Sequence, residues 1–197
     1  ADDEKLREEY IDISKSEVKR LGLLVDKALN ISLFEQGKFI YDKQDLDLNE
    51  EIQHVLKTLK VPLDNRQVAL TYEASGSDFV IHADKTHITN VIHNLIENAV
   101  KYSEDKPSIN IELSSNNESV ILSVKDNGKG IAPEYQDKIF DKFFRVPQGD
   151  THNTKGHGLG LSYVRQVILN HDGEIKVKSG AGTGTTFIIT FPIRANR

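Results

Sequence analysis

Between residues 47 and 192 the apolar residues switch repeatedly between a spacing of three to four and a spacing of two, and this alternation limits the folds open to the chain. Ile88, Val91, Ile92, Leu95, Ile96 and Ala99 return at helical spacing within residues 85–102. "NEEIQHVLKTLK" reads as a second helix, capped near Asp47 or Asn49 and stopped before Pro62. Further helices are predicted from about Pro133 to Phe140 and from about Leu159 to His171. "KFIYDKQDLDL", "RQVALTYEAS" and "FVIHAD" read as strands. "SINIELSS" and "VILSVKD" form a hairpin around "NNES", and "EIKVKSG" with "TTFIITFPI" forms another. A helix and a sheet each have an apolar side to bury. Helices interleaved with hairpins therefore predict an α/β (α+β) chain, a mixed sheet with helices on one face.

The leading segment obeys a different rule. From Asp3 to about Gln36 there is no Pro, Gly occurs once at Gly22, and Leu6, Tyr10, Ile13, Leu21, Leu24, Ala28 and Ile31 share a helical stripe widened by Ile11, Val18 and Val25. Such a helix is roughly 50 Å long at 1.5 Å per residue. A small domain cannot cover its whole length, so the stripe needs a partner helix; folding back on its own domain is the alternative. Gly37 supplies a stop. Residues 1–37 are thus expected to form one unit and 38–197 another.

Composition removes several function classes. A net charge of −5, with neither a polybasic run nor a basic-aromatic array, argues against nucleic acid. The absence of Cys removes disulfides, thiolate nucleophiles and Cys-based zinc sites, and permits a cytoplasmic setting. Apolar runs such as Leu21–Val25 and Phe187–Phe191 fall well short of the roughly 18 residues of a spanning helix. No membrane contact is expected from this chain. The chain has no Met and opens on "ADDEKLREEY", unlike a signal peptide, and reads as a fragment of a longer protein.

Polar residues on the helix of residues 85–102 are the first candidate site. Asn94, Asn98 and Lys101 fall within about 60° of one another on the border of its apolar face. An Asn carbonyl suits Mg²⁺, which takes much of its shell from water and substrate phosphates, and a Lys offers those phosphates a point charge. Tyr102 lies between this row and the core, where its ring could pack against a flat base. Ordinary polar boundary residues would look the same. In "KDNGKGI" an Asp at a strand end precedes Gly128 and Gly130; its carboxylate could accept from an exocyclic amine, or the segment could be a simple turn. "KGHGLGL" places Gly156, Gly158 and Gly160 before a helix, as a phosphate-binding N-terminus or a hinge. Its spacing fits neither the dinucleotide-binding nor the P-loop pattern. "SGAGTGTTF", alone, reads as a hairpin turn.

Taken in order, NLIENAVKY, DNGKGI, IFDKFFR, GHGLGL and GAGTGTTF resemble the N, G1, F, G2 and G3 boxes of the catalytic ATP-binding domain of two-component sensor histidine kinases. The resemblance covers about residues 40–195. It implies a two-layer α/β sandwich of the Bergerat type, with a mostly antiparallel mixed sheet. The long leading helix is similar to the second helix of the dimerisation and phosphotransfer hairpin that precedes such domains.

The resemblance also implies roles. Asn98 would ligate Mg²⁺, Asn94 would support the metal and phosphate site, Lys101 would meet the phosphates and Tyr102 would pack by the base. Asp126 would bond the adenine amine, in a pocket shaped by Gly128, Gly130 and Ile131. The backbone of Gly156, His157, Gly158, Leu159, Gly160 and Leu161 would hold phosphates, Arg145 or Lys155 would assist from a lid over residues 142–156, and Thr185 would lie near the adenine. In the related gyrase and chaperone ATPases a water-activating Glu lies four residues before the metal-binding Asn. Here that position is Asn94, which cannot act as a general base, and Glu97 points about 100° away from Asn98.

The family's phosphoacceptor His lies on the first hairpin helix in an acidic, Thr-Pro context. None of His54, His82, His87, His93, His152, His157 and His171 has that context, and surface or boundary positions are expected for them. The chain should therefore bind ATP without phosphorylating itself. Its parent should be a homodimeric protein-histidine kinase of the inner membrane, with this domain in the cytoplasm, passing the phosphoryl group to the Asp of a response-regulator receiver domain. A related ATPase and a non-catalytic, nucleotide-binding dimer scaffold are the rival readings.

Overall fold

The computed structural model describes residues 40–103, 106–147 and 158–193, together with Arg7, Tyr10, Ile11, Ser14 and Val18, all helical. Most of the predicted leading helix, and the boundary at residue 37, lie outside the described residues. The chain divides into two compact units, Ala1–Ile40 and Tyr41–Arg197.

The second unit is built on a five-stranded sheet. Its strands are β2 (Ala69–Ser75), β4 (Ser108–Ser115), β5 (Ser119–Asp126), β6 (Glu174–Ser179) and β7 (Thr185–Pro192), in the order β2-β4-β5-β7-β6. β2 and β4 run parallel; every other neighbouring pair is antiparallel. Period-two burial explains the layering. Ile109, Ile111 and Leu113, then Val120, Leu122 and Val124, then Phe187, Ile189 and Phe191, are buried under the helices. Those helices are α1 (Leu48–Asn65), α2 (Lys85–Tyr102) and α3 (Gly160–Asn170).

A separate antiparallel ribbon, β1 (Gln44–Asp47) with β3 (Val80–Ala83), sets where two helices begin. Each strand runs into an Asp N-cap. Asp47 Oδ1 accepts from the N–H groups of Asn49 and Glu50, and Asp84 Oδ1 from that of His87. α2 then turns Ile88, Val91, Ile92, Leu95, Ile96 and Ala99 into the core, as the spacing predicts.

Three expectations need correction. The first strand is shorter than "KFIYDKQDLDL": residues 40–43 are irregular, because Tyr41 packs its ring edge-on against His87 and His171 instead of entering a ladder. α1 runs through Pro62 to Asn65. Pro62 removes one N–H near the end of the helix, whereas Leu63, 8% exposed, anchors the last turn in the core and its carbonyl accepts from the N–H groups of Arg66 and Val68. The helix expected over Pro133–Phe140 is two separate 3₁₀ turns, Pro133–Tyr135 and Lys138–Phe140, with Ile139 the one residue of the two turns that is buried. A single inward side chain gives a longer helix little to bury.

Candidate functional site

The same alternation that buries Val120, Leu122 and Val124 carries Asp126 to the helix-covered face at the end of β5, where it is 6% exposed. The β5–β7 register pairs Lys125 with Thr186, which puts Asp126 beside Thr185. Backbone N–H groups of Gly128 and Thr185 donate to Asp126 Oδ1 at 2.8 and 3.1 Å. Among the described residues Oδ2 receives no hydrogen bond. Burial pushes the carboxyl pKa above its ordinary value, and the two backbone bonds oppose that shift. The result is a desolvated acceptor with one oxygen fixed and the other available.

Glycines let the next turn close around it. A Cβ on Gly128 would stand 2.5 Å from the Tyr102 carbonyl oxygen and 2.9 Å from Asp126 Oδ1. The Lys129 N–H donates to that same carbonyl at 3.2 Å, so the turn rests on the end of α2. Gly130 adopts φ +71°, with the Gly180 carbonyl against the place a side chain would occupy. Half-buried Ile131 follows, its N–H donating to Ser179 Oγ at 2.8 Å.

On α2, Asn94 is 7% exposed and donates through Nδ2 to the Asn90 carbonyl at 2.7 Å. Its Oδ1 lies 3.1 Å from where a Gly160 Cβ would be, which brings the start of α3 onto the polar row. Asn98, one turn on, is half-buried, and its side chain forms no hydrogen bond to a described residue. Lys101 Nζ sits 3.1 Å from the Tyr102 hydroxyl and 4.6 Å from the ring centre, so these two residues form a pair. Glu97 is exposed.

α3 starts without a side-chain cap, leaving its first-turn N–H groups unclaimed by one. Leu159, 5% exposed, anchors that start in the core, while Leu161 is half-buried. Gly158 takes φ +71° and its carbonyl accepts from Phe143 N–H, tying the segment after Phe140 to the start of α3. Arg145 is exposed. Lys155, Gly156, His157 and most of the predicted lid are outside the described residues.

Asp126, Gly128, Gly130, Thr185 and the end of α2 therefore converge, and Asn94 joins them to Gly160. Sequence reasoning missed Ser179 and Gln136. Gln136 Nε2 donates to the carbonyls of Ile131 and Ser179, and Ser179 Oγ donates to the Gly184 carbonyl. Ser179 opens the segment "SGAGTGTTF", but nothing in that string says which hydroxyl bonds which loop.

The expectation of surface or boundary histidines fails at His171, which is 3% exposed. Its Nε2 accepts from the Asp84 N–H at 3.0 Å and its Nδ1 meets the Val167 carbonyl at 2.7 Å. The ring joins the end of α3 to the start of α2. His54 is exposed, and His82, His87 and His93 are half-buried; His152 lies outside the described residues. Among the described residues no helix is long and apolar enough to cross a membrane.

The family described as histidine kinase-, DNA gyrase B-, and HSP90-like ATPase matches residues 83–195. The sensor protein RprX of Bacteroides fragilis is 39% identical over 93% of this chain, which covers 36% of that protein. The chain spans about a third to a half of the length of the curated relatives it matches. The catalytic domain of histidine kinase ThkA superposes with a TM-score of 0.66 and 27% identity, over 77% of this chain and 97% of that one. Histidine kinase ThkA solved in complex with response regulator protein TrrA gives a TM-score of 0.72 and 28% identity, over 93% of this chain and 50% of the other. The matched residues include Asn94, Asp126, the glycines around Asp126 and the start of α3. This chain is a member of the histidine kinase-, DNA gyrase B- and HSP90-like ATPase family, on the branch of the sensor histidine kinases.

Proposed function

We propose that the chain positions Mg-ATP for transfer of the γ-phosphoryl group to a histidine on a helix outside it, in a dimeric parent kinase. Asp126 carries this reading: a buried carboxylate with Oδ1 held by two backbone N–H groups and Oδ2 left to accept from the adenine amine. Gly128 and Gly130, with Ile131, give the base a close backbone wall, and Tyr102 flanks it. The uncapped start of α3 at Gly160, with Gly156–Leu161 and Lys101, suits phosphates, and Arg145 or Lys155 would act from the lid.

The donor set also suits Mg²⁺. Among the described residues the Asn98 amide oxygen has no partner, and no cluster of three His, Cys, Asp or Glu could hold a metal by itself. A bound Mg²⁺ would neutralise phosphate charge while resting mainly on the nucleotide and water. Asn98 would hold it, and Asn94 would keep α2 and α3 in place around it.

Phosphoryl transfer needs positioning and charge stabilisation more than acid–base chemistry. With an amide at position 94, and with Glu97 about 100° around the helix from Asn98, α2 lacks the carboxylate that activates water in the related ATPases, which favours a kinase over an ATPase. The ThkA complex with a response regulator supports onward transfer to a receiver-domain Asp in the parent protein. Residues 1–37 would supply the second hairpin helix and part of the dimer seam, in a cytoplasmic portion of an inner-membrane sensor. The test is labelling of the full-length parent from γ-labelled ATP. Acid-labile, base-stable phosphate on histidine is expected; its absence from an ATP-binding parent would leave the scaffold reading.

A further inference from the structure

Asp126, Thr185 and Ser179 lie side by side at one end of three neighbouring strands, since Lys125 pairs with Thr186 and Ser179 pairs with Thr185. The Ser179 hydroxyl is a junction there. Its oxygen accepts from the Ile131 N–H at 2.8 Å, its proton goes to the Gly184 carbonyl at 2.8 Å, and it stands 3.1 Å from the Thr185 hydroxyl.

A serine hydroxyl has one proton and two lone pairs. A carbonyl cannot donate, so the Ser179 proton is committed to Gly184, and the N–H of Ile131 takes one lone pair. The remaining lone pair can only receive, so in the Ser179–Thr185 contact the Thr185 hydroxyl is the donor. With its proton turned to Ser179, Thr185 has only acceptor lone pairs left for anything else. Asp126 Oδ2, on the neighbouring strand, is likewise an acceptor. Gln136 holds the arrangement by donating to the carbonyls of both Ser179 and Ile131.

We propose that Ser179 is a specificity-determining positioning residue: by fixing Thr185 as an acceptor beside Asp126, it makes the pocket select a base edge bearing an amino group and reject one bearing a keto oxygen. This rests on the nucleotide reading of Asp126 and adds which base chemistry is refused, and by which residue. Without the Ser179 hydroxyl, Thr185 is free to turn its proton outward and donate to a keto oxygen.

The experiment compares binding of the imidotriphosphates of adenosine and inosine by calorimetry, with Mg²⁺, to the chain and to its Ser179→Ala, Ser179→Thr and Asp126→Asn variants. The unmodified chain should prefer the adenosine compound. Ser179→Ala should lower that preference by about tenfold, the scale of one hydrogen bond, whatever it does to the melting temperature. Ser179→Thr, which keeps the hydroxyl, should retain the preference. Equal weakening of both compounds in Ser179→Ala would make Ser179 purely structural and overturn the proposal, as would an unchanged ratio. Asp126→Asn separates the two levels. If it leaves adenosine binding intact, the reading of Asp126 falls; if it abolishes that binding while Ser179→Ala keeps the full preference, only the role of Ser179 falls. No preference in the unmodified chain overturns both.

Discussion

Asp126 is a residue the fold carries at a cost. Its pKa is raised by burial, so its contribution to stability is full below the unfolded value of 3.8 and is lost as pH rises through the folded pKa. At neutral pH the folded chain therefore holds a carboxylate it would rather protonate. Asp126→Asn is expected to melt no lower than the unmodified chain, because an amide oxygen can still accept from Gly128 and Thr185. Nucleotide affinity should nevertheless fall by about 10- to 100-fold, the range for a hydrogen bond to a charged group. Thermal melts beside binding isotherms check both halves, and a lower melting temperature would contradict the first. Gly128→Ala should instead damage the turn itself, since its Cβ would press on Tyr102 backbone, and should cost about 1–3 kcal/mol in urea unfolding. "KDNGKGI" alone offered Asp126 only as a strand-end acceptor in what could be a simple turn, and the role proposed for it came from the ordered series of motifs. The hydroxyl of Ser179 was not legible, because its partners are 48 and 5 residues away and only the folded hairpin brings them together.

At the level of elements, α2 is where sequence and structure agree best. Asp84 caps it, the apolar stripe fills its inner face, and residues 85–102 are its observed limits. Local signals and tertiary burial point the same way there. They conflict at Pro62, where a buried Leu63 outweighs a helix breaker, and at Tyr41, which leaves the strand pattern for an aromatic contact. The parallel pairing of β2 with β4 was equally invisible, since alternation along a strand does not state its neighbour. His171 joins two of these elements, and burial lowers its pKa, as it does that of half-buried His87. Around them stand Asp84, Lys43, Tyr41 and Tyr163. Both neutral rings contribute stability that is present above the unfolded pKa of 6.5 and lost as pH falls through it toward the folded values. Urea unfolding should therefore show falling stability below about pH 6.5. His171→Ala should remove part of that slope and cost about 1–3 kcal/mol by stranding the Asp84 N–H. An unchanged slope would mean that His171 is not the group responsible.

At the scale of the whole molecule, the proposed site holds ATP without hydrolysing it. Position 94 is an amide and Glu97 lies about 100° around α2 from Asn98, so the chain should show negligible steady-state ATP hydrolysis, and Glu97→Gln should leave that unchanged. Sustained turnover lost in Glu97→Gln would favour the ATPase reading instead. The most direct test of the central claim is calorimetric titration of this chain with a non-hydrolysable ATP analogue, with and without Mg²⁺, beside Asp126→Asn. Saturable binding that Mg²⁺ strengthens and that Asp126→Asn weakens by about 10- to 100-fold is the predicted result. A folded chain that binds no nucleotide, or an Asp126→Asn variant that binds as well as the unmodified chain, would contradict it.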